Sequence, residues 1–189
     1  MELLKQKIYQ EGRVFPGQIL KVDNFLNHQI DTELLMEIGK EFAKRFDGEK
    51  ITKVLTIESS GIAIAGFVSY AIKAPLLFAK KTQTKNISAQ VYTSKVMSYT
   101  HGKVYDVFVS KEYLTANDRV LVIDDFLANG KALEGLVDLV NQAGASLVGC
   151  GIVIEKAFQK GGDNLREKGI KIESLARVLS MTDKDLVLE

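Results

Sequence analysis

Apolar residues at positions 3, 4 and 8, separated by Lys and Glu, fall at helical spacing and predict a short amphipathic helix over 2–11, ended at Gly12. A short extended piece, QILKV (18–22), follows. Leu34, Leu35, Ile38, Phe42 and Phe46 then share one helical face, with Asp31 and Thr32 placed to cap it. The β-branched run ITKVLTI (51–57) predicts a strand, and an apolar helix follows from about Ile62 to Ile72. PLLFA (75–79), VYDVFVS (104–110) and RVLVI (119–123) predict further strands. Residues 80–103 are polar and cationic; parts alternate as strands do, but they show no long helix face. A helix over 131–142 stopped by Gly144, a buried strand SLVGCGIVIE (146–155), a short helix near 163–168 and a strand over 171–178 complete the pattern.

Strands alternating with helices imply βαβ units: an α/β fold whose mainly parallel sheet is flanked by helices on both faces. Internal repeats, low-complexity tracts and Pro/Gly/Ser linkers are absent, so residues 1–189 are expected to form one domain. In such sheets ligands bind beyond the C-terminal ends of the strands.

Bulk composition narrows the partners. Of 189 residues, 46% are apolar and 26% charged, and 25 basic against 24 acidic residues leave a net charge of +1. That balance offers no overall electrostatic attraction for nucleic acid or an anionic membrane. No segment reaches the roughly 18 apolar residues of a membrane helix, and MELLKQKIYQEGR lacks the apolar stretch of a signal peptide. The single cysteine, Cys150, lies in an apolar run and reads as a small buried residue. A reducing, cytoplasmic setting is expected.

Residues 120–132, VLVIDDFLANGKA, carry the chemistry. An apolar strand ends at Ile123 in two adjacent acids, Asp124 and Asp125, placing them at the binding edge. Such a pair can hold a divalent metal, accept hydrogen bonds from a sugar diol, receive a phosphoryl group, or cap the loop structurally. The following loop leads into a helix N-terminus, where unpaired N–H groups and the positive dipole end favour a phosphate. Gly130 permits close backbone approach. Together these suit a ribose 5-phosphate. A second cradle follows strand 51–57 in ESSGIAIAG, where Ser59, Ser60 and Gly61 can present successive N–H groups to another anion. The acid pair lies too late in the chain for a phosphoryl-accepting receiver domain, and the Walker lysine loop is absent. No Cys/His cluster has metal-ligand spacing; His28 and His101, the only histidines, read as structural.

VLVIDDFLANGKA resembles the phosphoribosyl-diphosphate-binding fingerprint of the type I phosphoribosyltransferases. QILKVDNFLNHQID (18–31), ITKVLTIESSGIA (51–63), NQAGASLVGCGIVIEKAFQ (141–159) and ESLARV (173–178) extend the resemblance to the bacterial group that acts on xanthine in purine salvage. It is weakest over 82–118. Many relatives have Thr-Gly-x-Thr in the phosphate loop; this loop, Ala128-Asn129-Gly130-Lys131-Ala132, carries no hydroxyl.

The resemblance implies the type I phosphoribosyltransferase fold, with a small N-terminal lid lobe within residues 1–50 over the base and a mobile hood over 80–103. It implies transfer of the phosphoribosyl group of 5-phospho-α-D-ribosyl 1-diphosphate to a purine nitrogen. Asp124 and Asp125 would grip the ribose hydroxyls. Ala128, Asn129, Gly130, Lys131 and Ala132 would take the 5-phosphate. Ser59, Ser60 and Gly61, with Glu58 beside them, would hold the diphosphate with Mg²⁺, and Lys80 or Lys81 would reach a diphosphate across a homodimer. Leu20 (through its backbone), Asn27 and Lys156 match base-contacting positions, and Phe126 can stack on a purine. Glu58 can equally be a helix-entry acid, the two lysines solvated, Lys156 a strand-end lysine and Asn27 a turn residue.

Lys156 suits a 6-oxo group, but the Asn27 amide offers both donor and acceptor, so guanine and hypoxanthine stay open beside xanthine. Adenine or orotate transfer and a non-catalytic regulator of the same fold are further alternatives. The near-neutral charge, and the absence of room for a DNA-binding domain in the first 50 or so residues, weigh against the regulator.

Overall fold

The computed structural model describes residues 1–81, 90–97, 104–182 and 185–189. Helix α1 (Glu2–Glu11) leads into a hairpin of β1 (Arg13–Phe15) and β2 (Ile19–Lys21), then a π-helical turn (Asp23–Asn27) and α2 (Thr32–Arg45). Next come β3 (Lys53–Ile57), α3 (Ser60–Ile72) and β4 (Leu76–Ala79), then an antiparallel pair, β5 (Val91–Met97) and β6 (Val104–Ser110). The remainder is β7 (Arg119–Leu127), α4 (Lys131–Gln142), β8 (Ser146–Lys156), α5 (Gly161–Glu167), β9 (Ile172–Met181) and β10 (Leu186–Leu188).

The central sheet has the order β10-β9-β8-β7-β3-β4. All its pairs are parallel except β10 with β9, in keeping with the expected α/β architecture. Strands covered on both faces need no alternation, which is why β7 and β8 read as unbroken apolar runs. One face carries α2 and α3, with Leu35, Ile38, Phe42, Ile64 and Val68 packed on Leu121 and Ile123. The other carries α4, with Leu133, Leu136, Leu139 and Val140 on Leu55, Val120 and Val122. Asp31 caps α2 by accepting the Leu34 N–H at 3.0 Å. Gly144, at φ +68°, follows the end of α4.

Three local expectations change. The strand carrying the acid pair does not end at Ile123; it runs on to Leu127, because β8 is long enough to pair with it through Leu127↔Glu155. Pairing with β3 stops at Val122, so one edge of β7 is free beside the two acids. Helix α3 starts at Ser60, two residues before the apolar run, so the Ser-Gly cradle is itself helical. Strand 104–110 belongs to the antiparallel ribbon with 91–97 rather than to the parallel sheet; a single bridge, Lys80↔Phe108, joins it to the end of β4. Within the expected hood, residues 82–89 and 98–103, His101 among them, lie outside the described residues.

Candidate active site

At the C-terminal edge of β3, β7 and β8 lies a cleft of about 450 Å³. Its lining brings together Leu20, Asn27, Glu58, Ser60, Gly61, Lys81, Asp124, Asp125, Phe126, Ala128, Asn129, Gly130, Lys131, Ala132 and Lys156. Of the site residues read from the sequence, Ser59 and Lys80 are not in the lining. Ser59 sits at the N-cap of α3, behind a cis Glu58–Ser59 peptide. The Lys80 ammonium lies near the Phe78 ring.

The two acids occupy successive positions on β7, yet at this free strand edge both line the cleft and their side chains interact. Asp124 is only 5% exposed, and its Oδ1 accepts the Asp125 N–H at 3.0 Å. Burial first, then the neighbouring Asp125 charge, raises its carboxyl well above the ordinary carboxylate value. Asp125 is less buried. Its Oδ1 accepts the Phe126 N–H at 3.0 Å and its Oδ2 accepts the Asn27 amide at 2.9 Å. Asn27, in the π-helical turn, therefore ties the N-terminal lobe directly to the acid pair.

Two helix N-termini face the same space. At α4, Gly130 stands at φ +84° as N-cap, a conformation that favours glycine. Asn129 Oδ1 accepts the Lys131 N–H at 3.0 Å, leaving the Ala132 and Leu133 N–H groups without a partner among the described residues. The Lys131 ammonium does not turn into the loop; it pairs with Glu134 at 2.8 Å along the helix. At α3, no side chain caps the first turn. A Cβ on Gly61 would lie 2.2 Å from Thr56 Oγ1 and 3.7 Å from Asp124 Oδ1, so only glycine lets this turn approach the acids. Glu58 accepts the Lys81 N–H at 2.6 Å, and the Lys81 ammonium lies 5.0 Å from the Tyr105 ring centre.

The far end of the cleft is apolar with one cation. Lys156 donates to the Gln18 carbonyl at 2.8 Å and sits 5.8 Å from the Phe126 ring centre. Its half-buried position lowers its pKa. Ile57, Met97, Tyr105, Leu127 and Leu133 complete the lining and were not anticipated. In sequence Ile57 and Leu127 lie at strand ends and Leu133 in the first turn of α4, whereas Tyr105 and Met97 are delivered by the β5–β6 ribbon. No group of three or more His, Cys, Asp or Glu side chains suited to a metal occurs among the described residues.

This cleft therefore offers carboxylates for hydroxyl groups, two amide-lined helix ends for two anions, and an aromatic face beside an ammonium for a flat polar ring. Comparison with known proteins agrees. The family model described as "Phosphoribosyl transferase domain" matches residues 22–175. A xanthine phosphoribosyltransferase of Lachnoclostridium phytofermentans is 58% identical over 185 residues, covering 98% of this chain and 95% of its own. Its counterpart in Alkaliphilus metalliredigens is 55% identical, covering 99% and 93%. Among solved structures, an APRTase from Giardia lamblia complexed with 9-deazaadenine superposes with a TM-score of 0.77 at 23% identity, over 92% of this chain and 97% of that one. An adenine phosphoribosyltransferase from Rhodothermus marinus gives 0.73 at 22% identity, over 94% and 100%. The match runs across both helix ends and the acid pair between them, and on it the chain belongs to the phosphoribosyltransferase family, with the type I fold.

Proposed function

We propose that the chain is a xanthine phosphoribosyltransferase of purine salvage. It transfers the phosphoribosyl group of 5-phospho-α-D-ribosyl 1-diphosphate to xanthine, giving xanthosine 5′-monophosphate and diphosphate. The observation that carries this reading is the convergence of Asp124–Asp125, two open helix ends and Lys156 on one cleft. The relatives named for xanthine, at 55–58% identity, support the choice of base.

In this reading the Asp124 and Asp125 carboxylates accept hydrogen bonds from the ribose 2- and 3-hydroxyls, and their charge faces the positive charge that develops on the sugar ring. Residues 128–132 take the 5-phosphate on their free N–H groups. Glu58, Ser59, Ser60, Gly61 and Lys81 surround the diphosphate. Mg²⁺ suits this site as a cation carried by the substrate: it keeps water and phosphate oxygens and needs only one or two carboxylates, which the acid pair or Glu58 can supply. It would neutralise charge on the departing diphosphate.

Xanthine lies against Phe126, with the Leu20 backbone and the Asn27 amide at its edge and Lys156 donating to its 6-oxo group. Binding the base there would compete for the Asn27–Asp125 hydrogen bond and the Lys156–Gln18 bond. We read residues 1–189 as one domain, with the first 50 residues holding the lid. We also read the protein as a cytoplasmic homodimer. No helix among the described residues is long and apolar enough to cross a membrane.

Diphosphate release, measured with purified protein, should require xanthine, the activated ribose and Mg²⁺ together, with guanine and hypoxanthine slower. Folded protein inactive on all three oxopurines, or one that prefers adenine, would overturn the assignment.

A further inference from the structure

A second group of charges lies behind the cleft, and the transfer chemistry above makes no use of it. Glu155 of β8 is 0% exposed. Its side chain leaves the sheet on the face opposite to that of Lys156, the next residue. In register it stands between Leu127, the residue before the phosphate loop, and Arg177 of β9. Arg166 of α5 grips its carboxylate with both terminal nitrogens at 2.8 Å. Ser174 Oγ donates to it at 2.5 Å, and the Arg177 Nε lies at 3.4 Å as an ion pair without hydrogen-bond geometry. A buried ion pair seldom stabilises a fold more than a well-packed apolar pair would. Its use is better sought in what it holds in place.

It holds α5. The first residues of that helix are Gly161 and Gly162, and both positions are closed to any side chain. A Cβ on Gly162 would lie 2.1 Å from Glu155 Oε1 and 2.7 Å from Arg166 Nη1. A Cβ on Gly161 would lie 2.1 Å from the Ala128 carbonyl oxygen, 2.6 Å from the Asn129 carbonyl carbon and 2.8 Å from the Gly130 nitrogen. One turn of helix thus touches the Glu155 carboxylate on one side and the backbone of the phosphate loop on the other. Leu165, one turn further on, packs towards Gly130; a Cβ there would meet its Cδ1 at 3.0 Å.

We propose that Glu155 and Arg166 are positioning residues for the 5-phosphate: their fork-shaped contact sets α5 against residues 128–130 and so fixes the aim of the loop's N–H groups. The loop has no hydroxyl of its own to adjust to the anion. Its affinity depends on where its backbone stands, and an error of about 1 Å in such a site costs orders of magnitude.

The inference rests on the phosphoribosyl reading, so the experiment separates the two. Wild-type turnover with xanthine tests that reading; the variants test this one. In steady-state assays Glu155→Gln and Arg166→Met should raise KM for the activated ribose about tenfold or more, leaving KM for xanthine within about twofold. Arg166→Lys, which keeps the charge and loses the fork, should fall between Arg166→Met and wild type. A core variant on the opposite face, Ile38→Val, chosen to lower Tm to a similar degree, should leave the ratio of the two KM values unchanged. Should Glu155→Gln fail to fold, Gly161→Ala probes the same contact from the loop side and should show the same split. An active wild type whose folded variants show no split, or raise both KM values in equal proportion, would overturn the proposal and leave the assigned reaction standing.

Discussion

Replacing Asp124 by Asn should make the free protein more stable and the enzyme much poorer. The carboxyl is 5% exposed, with Asp125 as its chain neighbour. Burial and that second charge hold its folded-state pKa above the ordinary carboxylate value. A raised folded pKa means the folded state binds the proton more tightly than the unfolded chain does. Stability is then greatest where the carboxyl is protonated in both states. It falls as pH climbs from the ordinary value to the raised one, and is level above that. Asn cannot titrate, keeps an oxygen to accept the Asp125 N–H, and removes the buried charge. Relieving such a site typically returns about 0.5–2 kcal/mol. At this chain length each kcal/mol moves Tm by about 2–4 °C, so the expected gain at neutral pH is about 1–8 °C.

The cost appears in turnover. A hydrogen bond from a sugar hydroxyl to a charged acceptor is worth about 1.5–3 kcal/mol, so kcat/KM should fall by roughly one to two powers of ten. Thermal melts of the wild type and Asp124→Asn at a series of pH values from acid to neutral provide the check. The Tm gap in favour of Asn should be small in acid and widen towards neutrality. The activated ribose with Mg²⁺ should stabilise the wild type more than the variant. A wild type more stable than the variant at neutral pH, or a gap that ignores pH, would refute the claim that Asp124 is a charge held under strain for its ligand.

Three shorter tests bear on other parts. Lys156→Met removes the ammonium beside Phe126, and should raise KM for xanthine by about tenfold or more while KM for the activated ribose stays near wild type. Asp31→Ala removes the cap of α2 and should cost about 1 kcal/mol, or about 2–4 °C in Tm. The Leu34 N–H, followed by Lys7, holds this carboxyl below its ordinary pKa, so the contribution is present above the ordinary value and lost as pH falls through the depressed one; melts of the variant in acid should approach wild type. Burial pushes the Cys150 thiol up to about 12, so a thiol reagent at neutral pH should leave folded protein unlabelled and modify one thiol per chain in denaturant.

Sequence pattern revealed the long elements because each carries its own periodicity. The apolar face of α2 and the unbroken runs of β7 and β8 state their partners' nature without stating their identity. β1 and β10, three residues each, are too short to carry a period. The end of β7 misled for a physical reason: Asp is a poor strand former, and two in a row look like a stop. The strand continues because β8 supplies backbone partners as far as Glu155, and tertiary pairing outweighs local preference. The 104–110 segment was legible as a strand but not as part of a separate ribbon, since alternation does not say which sheet receives it.

The candidate site divides along the same line. Asp124–Asp125, the Gly130 loop and the Ser60–Gly61 turn are local arrangements, each complete within a dozen residues, and all three could be found by reading along the chain. Contacts that join distant segments could not. Asn27 reaches Asp125 across 98 positions, and Lys156 reaches the Gln18 carbonyl across 138. Glu155 draws Arg166, Ser174 and Arg177 together only because β9 lies beside β8. In sequence Glu155 reads only as the last residue of an apolar strand, next to Lys156. Alternation along a strand places neighbours on opposite faces, so Lys156 faces the cleft while Glu155 faces the helix behind it. One step along β8 thus separates a group that meets the base from a group that, through α5, sets the loop meeting the phosphate.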